Sequence, residues 1–233
     1  MKIVGFAKTS LLDWDGCIAA TVYLAGCNFR CPFCHNRDLV LSPETLDEIP
    51  LAKIQEYLES NKEFLDGVVV TGGEPTIHPG LPGLVKQLRD CGMGIKLDTN
   101  GSNPDMIADL LDAGLLDYIA MDLKGPVTPK YSDLIGVSAP IEKIKKSISI
   151  IMNSSVNYEF RTTVVPILLE ESDIEAMAAY IGGARKYALQ QFRPKNTIDA
   201  NLAVINPYPT DRLQGMAETA KQYVKKVIVR GDI

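Results

Sequence analysis

Residues 19–36 read AATVYLAGCNFRCPFCHN. Ala19–Ala25 is apolar and β-branched, the composition of a strand covered on both faces. Directly after it, Cys27, Cys31 and Cys34 stand at C-x3-C-x2-C spacing, and they are three of the chain's five cysteines. A buried strand running into a loop of reactive side chains is the working unit of α/β folds, which place their functional groups at the C-terminal ends of strands.

The same unit recurs downstream. Gly67–Thr71 (GVVVT) is a β-branched strand that ends in Gly72-Gly73-Glu74-Pro75. Met93–Asp98 is a strand ending in Thr99-Asn100-Gly101, and Tyr118–Leu123, Asn157–Val165, Ala188–Arg193 and Val227–Val229 follow. Between them lie helical patterns: Leu51–Asn61, Leu81–Asp90, Asp105–Ala113, Ser172–Ile181 and Asp211–Val224. Ile141, Ile144, Ile148 and Ile151 mark one face of a further helix. Asn103 with Pro104 reads as an N-cap followed by the first helical position.

Alternating strands and helices imply right-handed βαβ units and a parallel sheet. Two architectures meet this pattern, an open doubly wound sheet and a (β/α) barrel, and local patterning alone does not choose between them. Six such units and a seventh strand fall short of a closed eightfold barrel, which usually takes about 250 residues. The expected fold is α/β: an incomplete (β/α)6-type TIM barrel, open-sided, with parallel strands. Residues 1–233 are expected to form a single domain of this kind.

Polar residues on these strands support a lumen. Residues i and i+2 share a face of a strand, so Asp122 pairs in direction with Lys124, Glu159 with Arg161 and Thr163, and Gln191 with Arg193. A sheet covered by helices on both faces has no room for unpaired charge. Either the strands enclose a wet or ligand-filled lumen, or the charges pair structurally in the interior.

Composition narrows the function. Lys plus Arg total 24 against 29 Asp plus Glu, a net charge of −5, which argues against non-specific nucleic-acid binding. The first residues hold no apolar run of signal-peptide length, and no segment approaches the roughly 20 apolar residues of a membrane span. The expected compartment is cytoplasmic, where clustered cysteines are metal ligands or catalytic groups before they are disulfides.

Three thiolates on one loop suit a soft or borderline metal. Structural zinc takes four protein ligands, and neither Cys17 nor Cys91 completes an obvious set. A 4Fe–4S cube held by three cysteines keeps one iron open for chemistry. Two other patterns overlap: Cys31-x-x-Cys34-His35 matches c-type haem attachment, and His35 could complete a cramped zinc site.

The stretches CNFRCPFCHN, VTGGEP, LDTNG and AMDLKG together resemble the radical S-adenosylmethionine (SAM) enzymes, and within them the glycyl-radical-enzyme activating enzymes. The N-terminal run TSLLDWDGCIAATVYLAGC resembles in particular the short activases of anaerobic ribonucleoside-triphosphate reductase. The resemblance implies that Cys27, Cys31 and Cys34 hold a 4Fe–4S cluster whose open iron binds the methionyl amino and carboxylate groups of SAM. It implies that Gly72, Gly73 and Glu74 receive the SAM ammonium, that Lys124 meets its carboxylate and that Phe33 packs near the adenine. Asp98, Thr99 and Asp122 match positions that hold a monovalent cation beside SAM. Related activases often carry a SAM-contacting histidine near the end of the sixth strand, where this chain has Arg193. A proline is common where this chain has Asp15.

The implied reaction is reductive cleavage of SAM to a 5′-deoxyadenosyl radical, which abstracts a hydrogen from a glycine of a partner enzyme. The partners implied are a glycyl radical enzyme, here anaerobic ribonucleotide reductase, and flavodoxin or ferredoxin as electron donor; no nucleic acid and no membrane are expected. Arg161 and Arg193 are candidates to line the partner's approach. The alternatives are a radical SAM enzyme acting on a small molecule, of the 7-carboxy-7-deazaguanine synthase type, and a non-enzymatic zinc-binding protein.

Overall fold

Among residues 1–231, which the computed structural model describes, eight strands join in one sheet. They are β1 (Ile3–Ser10), β2 (Ala19–Leu24), β3 (Gly67–Gly72), β4 (Gly94–Thr99), β5 (Tyr118–Asp122), β6 (Asn157–Val164), β7 (Tyr187–Gln191) and β8 (Val227–Arg230). Their spatial order is their chain order, and each pair from β2 to β8 is parallel. A doubly wound sheet reverses direction at a switch point; this one never does. Its winding is that of a barrel, left open between β1 and β8 at the two ends of the sheet.

The helices are α1 (Arg37–Leu41), α2 (Leu51–Ser60), α3 (Leu81–Asp90), α4 (Pro104–Asp112), α5 (Lys130–Ile135), α6 (Ile141–Asn153), α7 (Glu171–Tyr180) and α8 (Thr210–Ala220). Asn103 caps α4 through its side chain, which accepts from the Met106 amide, and Pro104 takes the first helical position. Helix stripes and outward strand faces form one apolar core, in which Val68, Val70, Ile95, Leu97, Ile119 and Phe160 meet Ile54, Leu58, Leu84, Ile107, Leu110, Ile144 and Ile148.

One strand departs from the all-parallel expectation. β1 precedes the expected first strand and pairs with β2 antiparallel. It is an edge strand, and most of its residues are only half-buried. Edge strands of this kind carry no continuous apolar run, so its sequence lacks the signal that marks the inner strands.

The inward faces are charged, as the i, i+2 pattern predicts, and the two readings of that pattern hold at different depths. At the floor, Glu159 is fully buried and ion-paired with Arg230 at 2.8 Å, Lys186 at 3.0 Å and Lys96 at 4.0 Å. Asp15 accepts from both Arg230 and Lys186. Trp14 closes the floor from below: it packs on Ala19 and Val69, with its ring 6.0 Å from that of Tyr118. Cys17 packs beside it as a small apolar group. Higher up, at the C-terminal ends of the strands, the charges line a cavity.

Candidate functional site

The cavity has a volume of about 410 Å³ and is walled by Cys27, Cys31 and Cys34 on one side. The strand ends supply Thr71, Gly72, Gly73, Asp98, Asp122, Lys124, Arg161, Thr163 and Gln190. That volume lies in the range of small-molecule sites.

The cysteine loop is held in place by its neighbours' polar groups. Arg30 Nη1 donates to the carbonyls of Cys27 at 2.7 Å and Phe29 at 2.8 Å. The Arg30 amide donates to Ile135 O at 2.7 Å, and Pro32 O accepts from the Asp199 amide at 2.9 Å. Asn28 bridges to the loop after β4, accepting from Asn100 Nδ2 at 3.0 Å and donating to Ser102 Oγ at 2.9 Å. Asn36 Nδ2 donates to Gly72 O at 2.8 Å. Burial pushes the Cys27 thiol up to about 11 and the Cys31 thiol up to about 12. Such thiols give up their protons when a metal takes their place.

Gly72 and Gly73 are required by close approach. Gly72 has φ 126°, and a Cβ there would lie 2.3 Å from Leu24 N and O. A Cβ on Gly73 would lie 1.9 Å from Gly26 O. The end of β3 is thereby pressed against the stem of the cysteine loop, with Gly73 N donating to Leu24 O at 2.9 Å and Glu74 N to Gly26 O at 2.8 Å.

Glu74 is buried and fully engaged by protein. Its Oε1 accepts from Thr76 N at 3.1 Å, Thr76 Oγ1 at 2.5 Å and Thr99 Oγ1 at 2.7 Å, and its Oε2 accepts from Asn100 N at 2.6 Å. Burial raises its carboxyl pKa and prevails over the Thr76, Asn100 and Thr99 hydrogen bonds that lower it. The residue joins the GGEP turn to the loop after β4 and lines the cavity between them. Asn100 reads as a turn residue in the sequence, yet it touches Glu74 and Asn28 and lines the cavity.

Phe33 is buried on the cavity wall, with Lys124 Nζ 5.9 Å from its ring centre. Lys124 pairs with Asp122 at 3.0 Å. Burial works against its ammonium, and Asp122 more than offsets that, so it stays charged above its ordinary range. Asp98 and Asp122 are bridged by Arg161, at 2.9 and 2.8 Å.

Arg193 is not among the residues that line the cavity. Among the described residues the β7 side chain that lines the cavity is Gln190, whose Cα neighbour on β6 is Thr163. Gln191 instead donates to Tyr208 O at 2.7 Å. Arg193 contributes its backbone: its carbonyl lies 2.8 Å from His35 Nε2, and the His35 ring stacks on Phe192. Cys91 Sγ contacts Gln87 O and also lies away from the loop.

Three buried or half-buried thiols on one wall, with polar groups of both signs opposite, fit a cluster that leaves one iron to a small ligand. Among the described residues no three His, Cys, Asp or Glu side chains converge on the point a single metal ion would occupy. No helix is long and apolar enough to cross a membrane, again among the described residues.

Seven parallel strands wound in one direction, with a thiol-walled cavity at their C-terminal ends, form a partial barrel whose open mouth suits a small ligand beside the cysteines. Residues 21–181 match the Radical SAM superfamily, and the chain belongs to it. It is a radical SAM enzyme, and that membership brings a 4Fe–4S cluster and SAM as its cofactors. A protein of Methanocaldococcus jannaschii, provisionally named a glycyl-radical enzyme activating enzyme, is 31% identical over 98% of this chain and 95% of its own length. Streptococcus suis SuiB bound to S-adenosylmethionine superposes with a TM-score of 0.69 at 12% identity, over 91% of this chain and 52% of SuiB. A domain of the Bacteroides vulgatus pyruvate-formate lyase-activating enzyme gives a TM-score of 0.57 at 18% identity, over 71% of this chain and 99% of that domain. Similarity to the 7-carboxy-7-deazaguanine synthase of Hyperthermus butylicus reaches 40% but covers only 39% of this chain and 38% of that one.

Proposed function

We propose that the protein activates a glycyl radical enzyme, most specifically an anaerobic ribonucleotide reductase, and that residues 1–233 act as one unit. The observation that carries this reading is similarity along nearly the whole chain to a glycyl-radical enzyme activating enzyme. The small-molecule alternative has only partial similarity in its favour. The run 9–27, which resembles the short reductase activases, supports the choice of partner.

In this reading Cys27, Cys31 and Cys34 hold the cluster. When bound and reduced by flavodoxin or ferredoxin, the cluster supplies the electron that cleaves SAM. The chain's own residues bind and orient. Gly72 and Gly73, lacking a Cβ, let the end of β3 press against the stem of the cysteine loop and set their backbone in the cavity wall. Lys124 offers a cation to the SAM carboxylate, Phe33 offers an apolar ring, and Glu74 fixes the walls between β3 and β4. Arg193 acts through its backbone, as the anchor of His35. No general base is needed. A cytoplasmic setting suits thiols that must stay reduced.

The test is anaerobic reconstitution, reduction in the presence of SAM and an assay for 5′-deoxyadenosine. Wild-type protein is expected to form it and Cys31→Ala to form none. Addition of anaerobic ribonucleotide reductase is expected to yield a glycyl doublet in electron paramagnetic resonance. No 5′-deoxyadenosine from fully loaded protein overturns the reading, and 5′-deoxyadenosine without a glycyl signal overturns the partner.

A further inference from the structure

The resemblance places a monovalent cation among Asp98, Thr99 and Asp122. All but one of the side-chain oxygens of those residues already have a protein hydrogen-bond partner. Arg161 Nη1 donates to Asp98 Oδ2 at 2.9 Å, and Arg161 Nε donates to Asp122 Oδ1 at 2.8 Å. Lys124 Nζ takes Asp122 Oδ2 at 3.0 Å. Thr99 Oγ1 gives its proton to Glu74 at 2.7 Å and accepts from Gly101 N at 3.1 Å. The remaining oxygen, Asp98 Oδ1, has no hydrogen bond and faces the Lys96 ammonium at 3.5 Å.

The charge count agrees with the geometry. Two carboxylates, Asp98 and Asp122, meet two cations, Arg161 and Lys124, in a place where the side chains are largely withdrawn from water. Lys96 stands at the edge, its ammonium shared between Asp98 and Glu159. A metal ion entering here would meet carboxylates already paired with Arg161 and Lys124, would be repelled by those cations at close range, and would find one side-chain oxygen, Asp98 Oδ1, free of a hydrogen bond where a hard cation gathers several. The β-sheet register makes this arrangement inherent in the fold. Arg161 is the Cα neighbour of Asp122 in the β5–β6 ladder, and Asp98 lies one strand further, beside Ala120.

We propose that Arg161 is the resident counter-cation of this site and takes the position a monovalent metal ion would otherwise hold between Asp98 and Asp122. A guanidinium has five N–H donors, two of which go to these carboxylates. Arg161 also lines the cavity, so donors remain for an anionic group of a bound ligand. The inference rests on the cavity being the SAM site. It has two consequences: binding is indifferent to the identity of the salt cation, and removal of the guanidinium creates a cation requirement.

The test compares choline, sodium and potassium chloride at one ionic strength. The dissociation constant of SAM for the cluster-loaded wild type, from equilibrium dialysis, is expected to agree within about twofold across the three. The melting temperature of the wild-type protein is expected to agree within about 1 °C. Arg161→Met is expected to bind SAM roughly tenfold more weakly in choline, with sodium or potassium recovering part of the loss and raising its melting temperature. Arg161→Lys, which keeps the charge, is expected to stay indifferent to the salt. A wild type that melts several degrees higher, or binds SAM about fivefold tighter, in sodium or potassium than in choline overturns the inference. So does a folded Arg161→Met that responds to neither metal ion. Wild-type and variant melting decide the matter even if SAM fails to bind in any salt, an outcome that would sink the SAM reading and not the counter-cation.

Discussion

Asn36 Nδ2 donates to the carbonyl oxygen of Gly72 across 2.8 Å, and this contact fastens the exit of the cysteine loop to the end of β3. Both residues line the cavity. Asn36→Ala leaves the Gly72 carbonyl without this donor and frees the loop. A lost hydrogen bond of this kind costs about 1 kcal/mol, more where the orphaned group stays dry. SAM binding to the loaded protein is expected to weaken about five- to tenfold, read by equilibrium dialysis. An unchanged dissociation constant would show that the loop holds its place without this contact.

Glu74 takes four hydrogen bonds inside the protein and exposes almost none of its surface. Glu74→Gln is therefore not conservative. An amide offers one accepting oxygen, and its NH2 would face either the Asn100 amide or the three donors at Oε1. The urea midpoint of the metal-free protein is expected to fall by the equivalent of about 2–4 kcal/mol, with Glu74→Ala at least as severe. A change under 1 kcal/mol would mean that the turn after β3 is organised by the glycines alone.

Much of the fold is legible because the inner strands are covered on both faces and read as apolar runs, Val68–Val70 among them. The cysteines and the Gly72-Gly73 pair are legible because few other residues can do what they do there. Three features are not. β1 is an edge strand with half-buried side chains, so it leaves no apolar run. The lumen face of β7 belongs to Gln190 and not to Gln191, because parity is fixed only by pairing with β6, and a slip of one residue exchanges the faces. The bridge from Arg161 to Asp98 spans 63 residues of sequence, and only the sheet brings the two together.

The ion pairs at the floor of the barrel make acid stability measurable. Burial opposes ionisation of Glu159, but the Arg230 hydrogen bonds and the nearby charges of Arg230, Lys96 and Arg161 override it and lower its pKa from 4.5 to about 2. A carboxyl whose folded pKa is depressed contributes its full stability above the unfolded value and loses it as pH falls toward the folded one. The window is therefore pH 4.5 down to about 2, and the contribution is about 3 kcal/mol. Asp15 is lowered to about 2 as well, held by Lys186 and Arg230 against burial, and acts in the same direction. Wild-type urea midpoints are expected to fall steeply between pH 4.5 and pH 3. Glu159→Gln is expected to start lower at pH 7 and to fall less over that interval. Parallel curves for the two proteins would remove Glu159 from the account.

Gly73 and Gly83 predict opposite outcomes for the same substitution. A Cβ at Gly73 would lie 1.9 Å from Gly26 O, and that backbone cannot yield without moving Cys27, the next residue. Gly73→Ala is expected to lower the iron content after reconstitution to well under half of wild type, whether or not the rest of the sheet survives. Gly83 lies within α3, and a Cβ there meets nothing within 4 Å. Gly83→Ala removes backbone freedom from the unfolded chain and improves helix propensity, so the urea midpoint is expected to rise by the equivalent of about 0.5–1 kcal/mol. Its iron content is expected to match wild type. If Gly73→Ala loads iron as well as Gly83→Ala does, the tight seam between β3 and the cysteine loop has no part in holding the cluster.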